Sequence, residues 1–292
     1  VYSAGVAFDG DRGRLVVFGG FSRGHYAGET WEWDGTSWSR VSPEGAGPSA
    51  RNAPAMAYDA DRRRVVLFGG DTQADGPLGD TWEWDGTRWT RVAANGPPGR
   101  SIARMAYDNA RRRVTLFGGI SGQTVLGDTW EWDGTSWQPV AGAGPPGRFL
   151  HGLAYDQSAS RLVVLGGRLS AASPPSDADL ASDQWELTGQ GWSERRVQLP
   201  PPRDHSGLAY DAARRRLVLA GGGNSSGSFG DTWEFDGTSW AARNTAWLPP
   251  RAGVSLVYDP GKQRVLSYGG FTASGPTNEI WGWNGAEWTR VF

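Results

Sequence analysis

Residues Gly127 to Trp137 read GDTWEWDGTSW, three tryptophans in eleven positions. Tryptophan serves as a flat platform for a ligand or as a large block of core, and the choice decides the fold. Recurrence chooses the core. A second indole of the same type stands at Trp38, Trp89, Trp137, Trp192, Trp240 and Trp288. Outward from each lie other recurring marks. Gly-Gly pairs begin at Gly19, Gly69, Gly118, Gly166, Gly221 and Gly269, at intervals of 50, 49, 48, 55 and 48 residues. Each pair ends a β-branched or aliphatic run such as RVVLFGG, and before each run comes an aromatic-Asp ending such as Tyr58-Asp59 or Tyr107-Asp108.

Each unit reads as four short strands, A to D, separated by turn signals. Strand A resembles RMAYD, B RVTLFGG, C DTWEWDG and D SWQPV. Asp-Gly between C and D is a tight-turn signal, because glycine accepts positive φ. Four strands repeating near 50 residues describe a propeller blade. Six copies predict an all-β, six-bladed β-propeller with four antiparallel strands per blade. The blades fall at about 1–43, 44–93, 94–141, 142–197, 198–243 and 244–292, as one domain over 1–292. The expectation is contiguous blades with no exchange of strands between the termini, closed by packing of blade 6 on blade 1. Of the 17 tryptophans, 16 fall in repeat positions. Burying one removes about 150–250 Å² from water, worth at most roughly 4–6 kcal/mol.

The Gly-Gly ending of strand B, the aromatic at Trp33, Trp84, Trp132, Phe235 and Trp283, and the second tryptophan about five residues later resemble the Kelch repeat. Leu187 replaces that aromatic in blade 4. The resemblance covers essentially the whole chain. It implies a propeller that is usually a binding module and occasionally an enzyme, among them sugar mutarotases and iron-assisted lyases. It does not fix a function.

Composition narrows the classes. There is no cysteine, which excludes disulfides, thiol catalysis, zinc–thiolate sites and the cysteine crosslink of galactose oxidase-like copper chemistry. A net charge of −2 gives no electrostatic case for nucleic acid or anionic membrane. No apolar run has the length of a membrane span. Lys262 is the only lysine among the basic residues, a bias that points to a GC-rich bacterial genome. A secreted or cell-envelope setting is favoured over the cytoplasm, and a monomer is expected.

Topology separates two ends. The A–B turns carry arginine clusters, Arg62 to Arg64, Arg111 to Arg113 and Arg214 to Arg216, but also Asp9, Asp59, Asp108, Asp156, Asp211 and Asp259. The charges nearly cancel, as in an ion-paired solvated rim. The ring of Arg51, Arg100, Arg148, Arg203 and Arg251 is expected to be structural, pairing with Asp80, Asp128, Asp183 or Asp231, rather than anion-binding.

The B–C and D–A loops hold the departures from the repeat. Trp247 is the tryptophan outside it. Arg104 takes a strand A slot held elsewhere by Gly5, Ala55, Gly152, Gly207 and Ser255, and should project toward a central channel. Gly167 to Trp185 spans 18 positions against 11 or 12 elsewhere, a loop long enough to act as a lid. All three histidines map to this end: His25, His151 and His205. Asp204 precedes His205, Phe149 lies near His151, and Tyr2 and Tyr26 add aromatic groups. Polar and aromatic groups converging on a concavity form the default site pattern; the bland alternative is that each histidine bonds a loop carbonyl. No HxH or HExxH spacing supports a metal, and no cofactor is expected.

Two motif matches fail on context. GNSSG at Gly223 to Gly227 lacks the strand–turn–helix of a hydrolase elbow. GAGPPG at Gly142 to Gly147 carries prolines and no following helix, unlike a dinucleotide site. Asn224-Ser225-Ser226 is a glycosylation sequon, meaningful in a secreted eukaryotic product.

The reading therefore leans to a non-enzymatic module that presents its B–C and D–A loops to a protein, peptide or glycan. Arg104, Trp247, Phe149, His151, His205, Tyr26, His25 and Tyr2 are the candidate contacts. The alternative is a small-molecule isomerase, mutarotase or lyase, with His205 or His151 as acid/base, Asp204 orienting and Arg104 stabilising charge. A third reading is a repeat scaffold within a larger protein.

Overall fold

A computed structural model describes residues 2–22, 24–92, 96–243 and 248–292. Val1 and Trp247 lie outside the described residues. The fold is an all-β six-bladed propeller. Every blade is one antiparallel four-stranded sheet whose strands follow chain order, so no strand is exchanged between distant parts of the chain. Two compact units divide it, Val1–Val140 with blades 1 to 3 and Ala141–Phe292 with blades 4 to 6.

In the first unit, blade 3 shows the pattern. Its strands are Arg104–Asp108, Arg113–Phe117, Thr129–Trp132 and Trp137–Pro139. Strand B is buried along VTLF. Strands A of blades 1 to 3 (Gly5–Asp9, Ala55–Asp59 and Arg104–Asp108) pack side by side, which calls for small residues: a Cβ on Gly5 would sit 2.5 Å from Met56 Sδ. In the second unit, strands Gly152–Asp156, Gly207–Asp211 and Ser255–Asp259 pack likewise.

The recurring tryptophans join blades. Trp132 is fully buried and its indole N–H donates to Glu83 of the preceding blade at 3.0 Å. Trp84 does the same to Glu32 at 2.9 Å, and Trp283 to Glu234 at 2.8 Å. The strand D indoles Trp89, Trp137 and Trp288 donate to Thr30, Thr81 and Thr232, each one blade back, at 2.8–2.9 Å. A buried indole needs a partner for its single donor, and the neighbouring blade supplies it. Where Phe235 replaces tryptophan, no such donor exists. There Gln184 and the buried Arg161 hold Glu186 instead, and the Arg161 guanidinium lies 5.4 Å from the Phe235 ring centre. Trp240 donates to Gln184 at 2.8 Å.

Arginine forms the second seam. Arg100 is 0% exposed. Its guanidinium makes two bonds to Asp128, at 2.5 and 2.7 Å, and another to the Gly118 carbonyl at 3.1 Å. Its own carbonyl accepts from Gly70 of blade 2 at 2.9 Å. Arg51–Asp80, Arg148–Asp183, Arg203–Asp231 and Arg251–Glu279 repeat the pairing. The first indole of strand C caps each pair: Trp82, Trp130, Trp185, Trp233 and Trp281 donate to that same carboxylate. Burial alone raises the carboxyl pKa of Asp128. The bonds from Arg100 and Trp130 outweigh it and hold the group below the ordinary range.

The Gly-Gly pair follows from this seam. Gly69 and Gly70 have φ of 63° and 99°, and a Cβ on Gly69 would meet the Arg100 carbonyl oxygen at 2.4 Å. Only glycine allows both the conformation and the approach.

Candidate functional site

The B–C loops contain structure that the polar sequence conceals. In blades 1, 2, 3, 5 and 6 each forms a two-residue hairpin, such as Phe21–Ser22 with His25–Tyr26. Blade 4 has instead a 3₁₀ turn at Asp177–Asp179 within the long loop. Just before each strand A, one residue bridges to the residue after the Gly-Gly pair: Tyr2 to Phe21, Phe149 to Arg168, Asp204 to Gly223. The next residue is left-handed in all six blades: Ser3, Ala53, Ile102, Leu150, His205 and Gly253, with φ between 49° and 72°. Cross-blade backbone bonds hold these positions. In the second unit the His205 N–H donates to the Leu150 carbonyl at 3.0 Å, and the Gly253 N–H to the His205 carbonyl at 2.8 Å. In the first unit Ala53 donates to Ser3 and Ile102 to Ala53.

His205 therefore has its backbone orientation fixed by both neighbouring blades. Its side chain, 42% exposed, bonds through Nδ1 to Asp204 Oδ1 at 2.7 Å. The other oxygen of Asp204 pairs with Nε of Arg168, the first residue of the long blade 4 loop. Burial pushes the Asp204 carboxyl upward. The His205 bond, with the charge of Arg168 behind it, prevails and keeps the group ionised below its usual range. A second tie joins the same two blades: Asp177 accepts from the Ser225 backbone N–H at 2.9 Å and from its hydroxyl at 2.5 Å. Arg168 also donates to the Ser176 carbonyl at 3.0 Å. The long loop is thus strapped onto blade 5 beside the histidine.

The first unit has a different loop end. The Tyr2 and Phe21 rings lie 5.2 Å apart, and Phe21 meets Tyr26 edge-on at 5.8 Å. Tyr26 reaches toward Asp71 of blade 2, and His25 is exposed at the hairpin tip. Arg104, on strand A opposite Phe117, is half-buried, and desolvation lowers its guanidinium pKa.

The expected site residues thus separate. Asp204 and His205 are brought together in the second unit, and Tyr2 and Tyr26 in the first. Phe149 and His151 are buried, at 8% and 0% exposure. Both are expected ligand contacts; Phe149 bridges to Arg168, at the start of the long blade 4 loop. Tyr2 and Tyr26, expected to be exposed, are half-buried against Phe21. The arginine ring is internal, as its regular spacing implied. The A–B rim is ion-paired: Arg62 with Asp59 and Glu83, Arg111 with Asp108 and Glu131, Arg214 with Asp211 and Glu234. Arg168, Asp177 and Ser225 escaped sequence reading. Arg168 was detectable, because Phe21, Asp71, Ile120, Gly223 and Phe271 occupy its slot in the other blades. No group of three or more His, Asp or Glu side chains with metal-binding geometry occurs among the described residues.

The KLHDC2/KLHL20/DRC7 Kelch-repeats domain family matches residues 4–169. Among solved structures, that titled "Structure of YjhT" is similar over 99% of this chain and 97% of the other, with a TM-score of 0.75 and 15% identity. That similarity speaks to fold alone. No curated protein sequence matches the chain. Sixfold recurrence, blade topology and the family match agree: the chain belongs to the Kelch-repeat family of β-propellers.

Proposed function

We propose that the protein is a recognition module that offers the B–C and D–A loops of its blades to a protein, peptide or glycan partner. One observation carries this reading. The repeated indoles and arginines are engaged between and within blades, whereas the loop-end residues that break the repeat, His25, His205, Leu169 and Phe271, are exposed or half-exposed. A rigid scaffold with irregular loops is the arrangement in which side chains are available for binding.

The test is a peptide and glycan array probed with the full chain and with the variants Tyr26→Ala, His205→Ala and Phe271→Ala. Binding that is weakened by these changes with an unchanged melting temperature supports the reading. Binding that responds only to A–B rim variants such as Arg63→Ala sinks it.

A second reading, small-molecule acid/base chemistry, draws on the 2.7 Å bond between Asp204 and His205. A carboxylate behind an imidazole is the arrangement of a general base. Turnover of a metabolite library that survives in His205→Ala would count against it.

A further inference from the structure

Five blades show what the carboxylate at the start of strand C takes, and blade 6 shows it most fully. Glu279 accepts from Arg251 and from Trp281 through Oε2, at 3.0 and 3.1 Å, and pairs with Arg290 through Oε1 at 3.3 Å. The Arg251 guanidinium also donates to the Gly269 carbonyl at 3.3 Å and lies 5.8 Å from the centre of the Trp281 ring. Blade 1 repeats the acceptor side of this arrangement. Glu29 accepts from Trp31 through Oε2 at 3.0 Å and from Arg40 through Oε1 at 2.8 Å. Arg40 stands opposite Trp31 in strand D as Arg290 stands opposite Trp281. The donor side differs. Tyr2 bridges to Phe21 as Ala252 bridges to Phe271, so the residue before Tyr2 holds the repeat position of Arg251, and it is valine. Valine has no guanidinium to offer.

We infer that Glu29 and Trp31 of blade 1 bind a guanidinium from outside the propeller, the arginine side chain of a peptide or protein partner. The inference rests on the recognition reading above and adds the partner's chemistry.

The other blades select the ligand. A carboxylate has about four acceptor sites. The bonds from Trp31 and Arg40 use two of them on Glu29, and Glu279 holds a second arginine beside the same two bonds. The Arg40 bond, joined by that of Trp31, holds the Glu29 carboxyl below its ordinary pKa, so it is an anion at neutral pH. The Gly19 carbonyl stands where Gly69, Gly118, Gly166, Gly221 and Gly269 accept from the arginine of their own blades. The pair is also open. The Glu29 side chain is 31% exposed against 23% for Glu279. Trp31 is exposed, whereas Trp82, Trp130, Trp185, Trp233 and Trp281 are half-buried. Arginine suits the site better than lysine. Its planar fork can meet a carboxylate and a carbonyl together and lie on an indole, whereas an ammonium is a point charge.

The test selects random peptides displayed on phage against the full chain, then titrates the enriched synthetic peptide. The expected consensus contains arginine. Replacing that arginine by lysine or citrulline should weaken binding by about three- to tenfold, as for one partly exposed charge-assisted pair. Glu29→Gln should do the same with an unchanged melting temperature. Val1→Arg gives the sharper readout. It supplies the guanidinium from the chain itself, as in the other five blades, and should abolish the preference for arginine while raising the melting temperature. A merely structural role for Glu29 would not produce that competition. Enriched peptides without arginine, equal affinity for the lysine or citrulline peptide, or arginine binding that survives Glu29→Gln or Val1→Arg overturn the inference and leave the recognition reading standing. Binding of arrayed glycans alone also overturns it. Failure of every peptide and glycan overturns the recognition reading itself.

Discussion

Arg203 and His205 stand two residues apart in the chain and belong to different regions. Arg203 is 2% exposed and joins the Pro201 and Gly221 carbonyls, Asp231 and the face of Phe229. His205 is half-exposed and bonds one carboxylate. The seam holding Arg203 recurs from blade to blade because each blade must solve the same packing problem. The rim holding His205 differs in every blade because packing asks nothing of its side chain. Recurrence therefore marks what stabilises the fold, and departure marks what remains for recognition.

The comparison breaks most readily at the seam. Arg203→Ala leaves Asp231 without its main partner, and breaking a buried pair costs about 3–5 kcal/mol; urea unfolding should show a matching fall in stability. A variant as stable as the parent would show that the seam is not what holds the blades. Trp132→Phe keeps most of the packing and deletes one donor to Glu83. It should cost about 1–2 kcal/mol in the same assay. The smaller loss is expected because blade 5 already tolerates Phe235 in this slot.

Acid sharpens the comparison next. The seam carboxylates Asp80, Asp128, Asp183 and Asp231 are all held below their ordinary pKa, against the opposing effect of burial, by arginine and indole bonds. A depressed folded-state pKa gives stability that is complete above the unfolded value, about 3.9, and is lost as pH falls through the folded values. Thermal midpoints should therefore be flat from neutral pH to about 5 and fall below about 4. A decline beginning near pH 6 would implicate other groups.

The rim should respond least in stability. Asp177→Asn or Ser225→Ala unties the blade 4 strap, so proteolysis within 168–183 should accelerate while the global unfolding midpoint stays put. His205→Ala should shift stability by no more than about 0.5 kcal/mol, as for other surface positions. A loss as large as that of Arg203→Ala would move His205 from the rim to the seam.

The blades, their order and the role of the periodic indoles were legible in the sequence, because a repeat presents one packing solution six times. Arg51 to Arg251 were legible for the same reason: five copies at one repeat position, each followed 28–35 residues on by Asp80, Asp128, Asp183, Asp231 or Glu279. The rim was legible only in part. Adjacency in the chain exposed Asp204 and His205. The contacts of Arg168 with Asp204 and of Asp177 with Ser225 span 36 and 48 residues, and no local pattern announces them. The full burial of His151, just before strand Gly152–Asp156, was not legible, because alternation along a strand says nothing of the residue ahead of it.

The left-handed row has a consequence for how such a protein changes over generations. Serine, alanine, isoleucine, leucine, histidine and glycine all occupy the same backbone conformation, although isoleucine ordinarily avoids it. The cross-blade amide bonds enforce the shape whatever side chain is attached. A single codon change in that row can thus replace an imidazole with a hydroxyl or a hydrocarbon while the architecture stays as it was, so new specificities are within reach of one mutation.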